Sequence, residues 1–312
     1  MRATRVPELR YDGRVAVVTG GGRGLGRSYC RLLAARGAAV VVNDIGGGLT
    51  GDGCDPGPAA DVVAEIGSAG GEATASTDSV STADGGAAII QTALERYGRI
   101  DIVIHNAGNV RRASLTQMST DDFDAVLDVH LRGAFHVVRA AFPHMQRAGY
   151  GRIVLTSSIG GLYGNHEVAN YAASKAGIIG LSNVAALEGA LHDIRSNVIV
   201  PAALTRMAEG IDTSAYPPMN AELVAPAVGW LSHESCSVTG EMFTAIAGRI
   251  ARVAITEARG VYRPEWTVED VAAQIDGIRD LNDPLEFVVV PDGHADHIRY
   301  SFSQALQGVT HD

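Results

Sequence analysis

Cysteine is scarce in this sequence, with three residues among 312. Cys30, Cys54 and Cys236 are odd in number and far apart, so they form neither a disulfide framework nor a metal-binding motif. A small secreted domain held together by disulfides is thereby excluded. We expect a reducing, cytoplasmic compartment.

Long apolar runs and excess positive charge are also lacking. No run of about eighteen apolar residues occurs, so we expect no membrane span, and the N-terminus lacks the apolar core of a signal peptide. Asp and Glu number 35 against 25 Lys and Arg, which gives a formal charge of −10. This balance argues against a nucleic acid or an anionic membrane as partner. An anionic ligand must therefore be bound by local groups.

Hydrophobic residues make up 46% of the sequence, enough for the core of one large domain. We predict strands at 14–19, 39–43, 72–76, 100–104, 152–156, 195–200 and 240–247, with amphipathic helices between them. This alternation is typical of an α/β fold of the Rossmann type, a doubly wound parallel sheet of about seven strands with helices on both faces. We expect that domain to cover residues 1–250. Residues 251–312 would form a C-terminal extension packed on it.

The first predicted strand runs directly into a glycine-rich turn, G-G-G-R-G-L-G at residues 20–26, which precedes a helix. Glycine permits a tight turn and lets backbone N–H groups approach a pyrophosphate at the helix N-terminus. The spacing differs from the commonest dinucleotide fingerprint, and a flexible loop is the alternative. We interpret the segment as a dinucleotide-binding turn whose contacts are made by Gly20, Arg23, Gly24, Leu25 and Gly26.

Asp44 ends the second strand about 20 residues after the glycines, where a carboxylate can hydrogen-bond both hydroxyls of a ribose. The carboxylate would repel a 2′-phosphate, whereas Arg23 would attract one. Because a carboxylate facing the phosphate outweighs a flexible arginine, we expect NAD rather than NADP as the cofactor. The alternative for Asp44 is an ordinary turn or capping residue.

Two further segments belong to the adenosine end of the predicted site. Ile45–Pro58 form an unusually long connection, whose glycines and prolines predict a surface excursion without regular structure. The third strand ends before Asp78 and Ser79, which we expect to contribute to cofactor binding, Asp78 at the adenine amino group. Capping of the next helix is the alternative for Asp78.

Tyr171 and Lys175 lie four residues apart in a helix predicted over 168–191, so their side chains project from the same face. A phenol has a reference pKa of about 10, and an adjacent ammonium favours the phenolate. Tyr171 could then exchange a proton near neutral pH, while Ser158, at the mouth of the preceding strand, hydrogen-bonds the same substrate oxygen. The alternative is a chance pair on an amphipathic helix.

An Asn-Ala-Gly turn, Asn106-Ala107-Gly108, follows the fourth strand and is suited to brace a cofactor pocket. Ligands of parallel sheets bind at the carboxyl ends of the strands. The candidate residues from six strands all fall at that edge, namely Gly20, Asp44, Asp78, Asn106, Ser158 and Pro201. This coincidence predicts a single site.

Two later segments are less regular. Residues 202–220 are polar and poorly periodic, which predicts a mobile lid over a substrate. Near the C-terminus, Glu286–Val290 could form a strand, and a cluster of acidic and histidine side chains follows it, Asp292, His294, Asp296 and His297. Clusters of this kind are usually solvated, so we predict no metal site.

With the motifs T-G-G-G-R-G-L-G, H-N-A-G and Y-A-A-S-K, and Ser158 before the last of them, the sequence resembles the short-chain dehydrogenase/reductase superfamily over roughly residues 10–248. The resemblance implies that Tyr171 exchanges the substrate proton, that Lys175 lowers the pKa of Tyr171 and binds the nicotinamide ribose, and that Ser158 orients the reacting oxygen. It also places Pro201 and Thr205 against the cofactor, with Thr205 at the nicotinamide carboxamide.

His130, in a long helix predicted over 121–147, departs from the family pattern, which usually has asparagine there. Much of the role of that asparagine is ascribed to its main-chain carbonyl, which positions a proton-relay water. We expect His130 to preserve this role through its own carbonyl and therefore count it with the catalytic residues. The role of its side chain stays open.

The segments N-D-I-G-G-G, V-H-L-R-G-A-F and V-A-P-A-V-G-W-L-S-H-E-S-C resemble more narrowly the (3R)-hydroxyacyl-CoA dehydrogenase units of multifunctional enzymes type 2, also called 17β-hydroxysteroid dehydrogenases type 4. That subfamily shares the histidine and the long insertion. The resemblance implies NAD-dependent oxidation of a fatty or steroid-bearing 3-hydroxyacyl-CoA. The CoA phosphates would need cations, and the candidates are Arg111, Arg112, Arg206, Arg249 and Arg252.

Three other functions stay open at this point. They are a dehydrogenase of free hydroxysteroids or other secondary alcohols, a β-ketoacyl carrier-protein reductase, and a non-catalytic dinucleotide sensor. Asp44 argues against the reductase, which mostly uses NADPH, and the Tyr171–Lys175 pair argues against the sensor. Apolar and small-residue faces on the helices starting near 121 and 168 predict a homodimer or a homotetramer.

Overall fold

The computed structural model describes residues 7–204 and 216–309. The chain divides into two compact units, Met1–Arg252 and Val253–Asp312. The packing of the second unit on the first stays a prediction.

Eight strands in the described part of the chain form one sheet, with the bounds β1 Val15–Thr19, β2 Ala39–Asn43, β3 Glu72–Ser76, β4 Ile102–His105, β5 Gly151–Thr156, β6 Ile194–Ala202, β7 Met242–Ile246 and β8 Arg249–Val253. Their order in the sheet is β3-β2-β1-β4-β5-β6-β7-β8. The strands from β1 to β7 pair in parallel. The predicted doubly wound α/β fold is confirmed.

The predicted count of about seven strands omits β8, which lies at the edge of the sheet beside β7. A two-residue turn joins the two strands, with positive φ angles of 48° at Ala247 and 82° at Gly248, so they form a hairpin. Most residues of β8 are exposed or half-buried. An edge strand with little buried surface gives no apolar run, and the hydrophobic pattern therefore missed it.

The sixth strand, predicted over 195–200 on the interpretation that Pro201 breaks it, extends further than predicted, and that interpretation is wrong. Strand β6 continues to Ala202, and Pro201 pairs with Ala245 of β7. On the other side, pairing with β5 ends at Ile199. Proline is tolerated at this position because only one neighbouring strand remains there.

Ten α-helices occur in the described residues, with the bounds α1 Gly24–Ala35, α2 Gly57–Ser68, α3 Ala83–Tyr97, α4 Thr120–Leu127, α5 Gly133–Ala148, α6 Ile159–Tyr163, α7 Ala169–Gly189, α8 Ala225–Ser232, α9 Val268–Ile278 and α10 Gly293–Val309. The single helix predicted over 121–147 is wrong in one respect, because a π-helical turn, Asp128–Arg132, separates α4 from α5. Apolar periodicity does not distinguish one such turn from a continuous α-helix, and π turns are frequent at functional sites.

Two hydrophobic clusters cover the two faces of the sheet. Alternate residues of β1 divide between them, with Val18 facing the cluster that includes α1, α2 and α8, and Val17 facing the cluster that includes α3, α5 and α7. Strands buried on both faces lack the alternation of a half-exposed strand and read as continuous apolar runs. This is why the central strands were recognisable in the sequence.

The second unit contains α9 and α10. A capping box formed by Thr267 and Asp270 begins α9. The predicted strand at 286–290 is absent from this described segment, where Leu285 makes only an isolated bridge with Glu257. His297 pairs with Glu257 at 2.9 Å, and the residues described include no group of three His, Cys, Asp or Glu arranged to hold a metal ion. Within the described ranges, no helix combines the length and apolarity needed to cross a bilayer.

A buried arginine ties together the amino edge of the sheet. Arg152 in β5 is 1% exposed. Its guanidinium donates to the main-chain carbonyls of Asp193 at 2.6 Å and His233 at 3.2 Å and to the Asp193 carboxylate at 3.2 Å. It also stacks on the Tyr150 ring at 4.3 Å. Each of these acceptors has one further donor, the Gly151 N–H for the Asp193 carbonyl, the Cys236 N–H for the His233 carbonyl and Arg195 for the Asp193 carboxylate.

We expect Arg152→Met to lower the free energy of unfolding by about 1–3 kcal/mol, because each carbonyl around the guanidinium loses one of its two donors and the stacking on Tyr150 is lost. Urea denaturation monitored by circular dichroism measures the change. Arg10→Met is the matched control, since Arg10 forms an exposed pair with Asp12, and its effect should stay within about 1 kcal/mol. Equal effects of the two substitutions would contradict a structural role of the buried charge.

Candidate active site

A cleft with a volume of about 330 Å³ lies at the carboxyl edge of the sheet. The turns that follow β1 to β5, the end of β6 and the first turns of α7 line it. Most of the residues predicted for the cofactor and for catalysis lie on its wall, namely Gly20, Arg23, Gly24, Leu25, Asp44, Asp78, Ser79, Asn106, Ala107, Gly108, His130, Tyr171, Lys175 and Pro201. The structure therefore brings together residues that are up to 181 positions apart, from Gly20 to Pro201.

The glycine-rich turn is held close to the next strand connection. Gly20 has a φ of 63°, and a Cβ there would lie 2.8 Å from the Ala107 Cα. Gly26 is buried beneath the turn, where a Cβ would lie 2.0 Å from the Gly20 carbonyl oxygen. The first turn of α1 begins at Gly24 without a side-chain cap. Its backbone N–H groups therefore face the cleft as a site for an anion such as a diphosphate.

The Asp44 carboxylate is fixed in place by two backbone donors. The Gly22 N–H donates to Oδ2 at 2.9 Å, and the Gly46 N–H donates to Oδ1 at 2.7 Å. Each oxygen keeps a free lone pair, so the carboxylate can accept from a diol as well. Arg23 donates to the Gly47 carbonyl at 3.3 Å, which holds its guanidinium against the insertion.

Asp78 lies on the cleft wall and is not a helix cap, because Thr82 caps α3. Its carboxylate accepts from the Ser76 hydroxyl at 3.0 Å, and its main-chain carbonyl accepts from the Asn43 side chain at 2.9 Å. These bonds orient Asp78 at the end of β3. Ser79 follows it on the same wall.

The Asn106–Gly108 turn is joined to the glycine-rich turn through β1. The Asn106 and Ala107 N–H groups both donate to the Thr19 hydroxyl oxygen at 3.1 Å, and the Asn106 side chain donates to the Gly20 carbonyl at 3.2 Å. Thr19 therefore fixes the Asn106–Gly108 turn, and the Asn106 side chain joins this turn to the glycine-rich turn.

The same threonine determines the state of a histidine that the sequence analysis overlooked. The Thr19 hydroxyl accepts two N–H groups, so its own proton goes to His105 Nδ1 at 3.1 Å. His105 Nε2 then carries the ring proton and donates to the His130 carbonyl at 3.1 Å. His105 is fully buried, and burial lowers its pKa to about 3, so the ring stays neutral.

The His130 side chain contacts the predicted catalytic tyrosine. Its ring lies edge-on to the Tyr171 ring, with centroids 5.1 Å apart, and its Nε2 lies 2.8 Å from the Asn109 carbonyl. Its Nδ1 is buried and has no hydrogen-bond partner among the described residues. Burial and the nearby Lys175 charge hold the pKa of His130 well below its ordinary value. The histidine is therefore a neutral polar wall of the cleft.

Ser158, Tyr171 and Lys175 meet at the end of β5. Ser158 begins α6, accepts from the Gly160 N–H at 3.1 Å and hydrogen-bonds the Tyr171 phenol. Lys175 lies one turn along α7, with its Nζ 5.6 Å from the Tyr171 ring centroid. The ammonium donates to the Thr156 carbonyl at 2.6 Å. The arrangement places a phenol and a hydroxyl side by side with a cation behind them.

The direction of the Tyr171 pKa differs from the sequence expectation. Burial raises the pKa of Tyr171, and the hydrogen bond from Ser158 offsets part of that increase. Burial also lowers the pKa of Lys175 from 10.5 to about 7. Because the lysine is only partly charged at neutral pH and donates to Thr156, it does not offset the burial of the phenol.

Some predicted residues lie elsewhere. Thr205 and most of the predicted lid, residues 205–215, fall outside the described residues, as does the candidate CoA ligand Arg206. Arg111 already contacts the carboxylates of Asp52 and Asp122, and Arg252 pairs with Glu241 at 3.1 Å. These pairings weaken both arginines as ligands for CoA phosphates.

The insertion contributes more to the cleft than the sequence analysis anticipated. Gly47, Gly48, Leu49 and Gly51 all line the wall, as does Asn109 after β4. The unusual length of the Ile45–Pro58 connection was the available signal. Only the fold shows which side of the sheet it covers.

Lys175 is the only lysine in the sequence, so its pKa can be measured directly. In protein labelled with ¹³C-lysine, we expect the resonance of the carbon next to Nζ to report a pKa of about 7 without cofactor, against the ordinary lysine value of 10.5. The same sample in urea is the control and should titrate near 10.4. A folded-state midpoint above 10 would contradict the effect of burial.

The same shift predicts how stability depends on pH. Below about pH 7 both folded and unfolded states carry the ammonium, so the folded protein bears the full cost of burying it. Between pH 7 and 10.5 the folded state loses the proton first and the cost is relieved. Lys175→Met should therefore raise the free energy of unfolding by about 2–4 kcal/mol at pH 6 and by progressively less towards pH 10.5.

Comparison with known proteins identifies the family of the chain. The short chain dehydrogenase family model matches residues 14–214. Peroxisomal multifunctional enzyme type 2 of Drosophila melanogaster is 49% identical over 276 residues, which cover 88% of this chain and 45% of that protein. A putative short-chain type dehydrogenase/reductase of Mycobacterium tuberculosis is 45% identical over 271 residues, covering 86% of this chain and 95% of that protein.

A solved structure agrees with these matches. The full-length peroxisomal multifunctional enzyme type 2 from Drosophila melanogaster superposes with a TM-score of 0.78 at 37% identity, over 96% of this chain and 50% of that one. The chain thus spans about half the length of that relative. The family expected from the motifs is confirmed, since both the family model and relatives of high coverage match: the chain belongs to the short chain dehydrogenase family and is an oxidoreductase.

Proposed function

We propose that the chain catalyses NAD-dependent oxidation of a 3-hydroxyacyl-CoA to the 3-oxoacyl-CoA. The observation that carries this proposal is the meeting of Ser158, Tyr171 and Lys175 beside a cleft that begins at the glycine-rich turn. A proton-exchanging phenol at a dinucleotide cleft suits hydride transfer at an alcohol carbon.

The residues of the cleft fit NAD. A Cβ at Gly20 would collide with Ala107, so only a glycine fits there. A turn that binds a diphosphate through its backbone requires such a glycine. The Asp44 carboxylate, fixed by the Gly22 and Gly46 N–H groups, would accept both ribose hydroxyls and repel a 2′-phosphate. Arg23 is held by the Gly47 carbonyl, which reduces its ability to attract that phosphate.

The chain's own residues account for the proton. The Ser158 hydroxyl and the Tyr171 phenol both bind the substrate oxygen, and the phenolate form of Tyr171 takes the hydroxyl proton. Bound NAD would accept the hydride from C3. Lys175 would hold the nicotinamide ribose, and its protonated fraction would supply positive charge that favours the phenolate. The His130 ring lines the cleft and packs edge-on against the Tyr171 ring, which helps to hold the phenol in position.

The acyl-CoA assignment rests on the narrower resemblance. The V-H-L-R-G-A-F segment and the insertion are shared with multifunctional enzymes type 2, and a protein of that name is 49% identical to this chain. The acyl group is fatty or steroid-bearing. The matched relative is named as a peroxisomal protein, and the cytoplasmic location of this chain stays a prediction.

The chain acts as a homodimer or homotetramer. Exposed apolar side chains on α5 and α7 support this, including Phe135, Val184 and Leu187 at 48%, 50% and 39% exposure. Sedimentation or light scattering measures the assembly state.

The proposed reaction is tested by the absorbance of NADH with NAD and a panel of 3-hydroxyacyl-CoA esters of short, long and steroid-bearing acyl groups. We expect turnover of the esters, and Tyr171→Phe should lower kcat by about 100- to 10,000-fold while NADH still binds. Tyr97→Phe is the matched control, because Tyr97 lies on α3 and is not among the residues that line the cleft.

The free acids and free hydroxysteroids run beside the esters. Turnover of the free hydroxysteroids alone would replace the acyl-CoA substrate while keeping the proton chemistry. NADH binding without turnover of any alcohol would instead favour a dinucleotide sensor.

Cofactor choice is tested separately at Asp44. Asp44→Asn removes the charge but keeps the size, so we expect the KM for NAD to rise about tenfold and the NADP to NAD ratio of kcat/KM to increase. Steady-state rates with each cofactor measure both effects. An unchanged ratio would show that Asp44 does not set the preference.

A further inference from the structure

The insertion after β2 forms a closed loop. Its two ends meet where the Asp55 N–H donates to the Ile45 carbonyl at 2.9 Å. Gly46 has a φ of 69°, and a Cβ there would lie 1.8 Å from the Asp55 carbonyl oxygen, so the neck of the loop is tight. Residues 45–55, called the strap below, therefore leave and re-enter the sheet edge at one point.

The far end of the strap reaches the segment that follows β4. The Val110 N–H donates to the Leu49 carbonyl at 3.0 Å, and Arg111 Nε donates to the Thr50 carbonyl at 3.1 Å. In the sheet, β1 lies between β2 and β4. A segment that starts after β2 and bonds to residues after β4 must cross the end of β1, which is where the glycine-rich turn lies.

Arg111 is the main fastening of the strap. Its Nη2 pairs with the Asp52 carboxylate of the strap at 3.2 Å, and its Nη1 pairs with the Asp122 carboxylate of α4 at 3.0 Å. One guanidinium therefore bridges the strap to the body of the domain. The fork geometry of arginine allows both pairs at once.

The anchor on the domain side is linked to the helix that carries Tyr171. The Asn170 side chain donates to the Arg111 and Asp122 carbonyls, each at 3.0 Å, and accepts from the Tyr171 N–H at 2.7 Å. Asn170 is fully buried. The fastening point is thus rigid, and the strap is attached to the same framework that positions the phenol.

The strap itself has little apolar surface to bury. Leu49 is 39% exposed, and Gly48, Thr50 and Asp52–Asp55 are exposed as well. A segment held by hydrogen bonds and ion pairs rather than by a core opens at low cost. Arg111 binds both the Thr50 carbonyl and the Asp52 carboxylate, so its bonds contribute to how often the strap opens.

From this geometry we propose that the strap covers the diphosphate of the bound dinucleotide and that Arg111, by fastening it, slows dinucleotide release. The proposal rests on the proposed function, because it takes NAD or NADH as the ligand of the cleft. It adds a binding role for residues 45–55 and for Arg111, neither of which contacts the reacting atoms.

Stopped-flow release of NADH tests this role. Protein loaded with NADH is mixed with excess NAD, and the loss of NADH fluorescence gives the release rate. We expect Arg111→Met to release NADH about fivefold faster than the unmodified protein, and Asp52→Asn about twofold faster. Because both act through one ion pair, the double variant should match Arg111→Met rather than multiply the two effects.

Arg31→Met is the matched control, since Arg31 on α1 forms an exposed pair with Glu65 at 4.0 Å and is not among the residues that line the cleft. Its release rate should be unchanged. Asp52→Asn changes a single exposed residue of the strap, so it still tests the role of the Arg111–Asp52 pair if Arg111→Met folds poorly. If NADH binds but leaves all variants at the same rate, the proposed role of the strap is wrong and the proposed function stands. If the unmodified protein does not bind NADH, both the role of the strap and the proposed function are wrong.

Hydrogen exchange gives an independent readout. The strap amides of Gly48 and Asp55, and the Val110 amide, are hydrogen-bonded within or to the strap. Their exchange should slow when NADH binds, and slow less in Arg111→Met than in Arg31→Met. Unchanged exchange of these amides in the presence of bound NADH would contradict the cover.

Discussion

The Thr19 hydroxyl is the interaction on which the site depends. It lies at the end of β1, accepts the N–H groups of Asn106 and Ala107, and donates to His105. Through these bonds it fixes the turn after β4, and through His105 it holds the His130 carbonyl. A buried hydroxyl with one donor and two acceptor positions can satisfy three partners in only one arrangement, so the geometry around it is unique.

The cost of this arrangement is the burial of ionisable groups. Lys175, His105 and His130 are all nearly inaccessible, and burial lowers the pKa of each. The two histidines are neutral, so they do not repel the ammonium group of Lys175. The pKa of Lys175 itself is about 7. Tyr171 is shifted in the opposite direction, since burial favours the uncharged phenol. The phenolate form of Tyr171 therefore needs positive charge nearby, and Lys175 is the adjacent side chain that can carry it.

The sequence predicted the central strands and the turn residues well, because strands buried on both faces read as apolar runs and glycines mark the tight turn. Strand β8 and the π-helical turn were not predicted. Strand β8 has little buried surface, and the π turn at 128–132 has the same apolar spacing as an α-helix. His105 was overlooked because its role comes from Thr19 and His130, which are 86 and 25 residues away.

By itself the sequence determined the fold class, the glycine-rich turn and the Tyr171–Lys175 pair, because each of these is local and follows from side-chain period or backbone freedom. Tertiary structure alone decided that the insertion crosses the end of β1, that Arg23 and Arg111 bind it, and that burial sets the pKa of Tyr171 and Lys175. The reason is that desolvation and long-range hydrogen bonds depend on neighbours brought together by the sheet order, which local sequence does not encode.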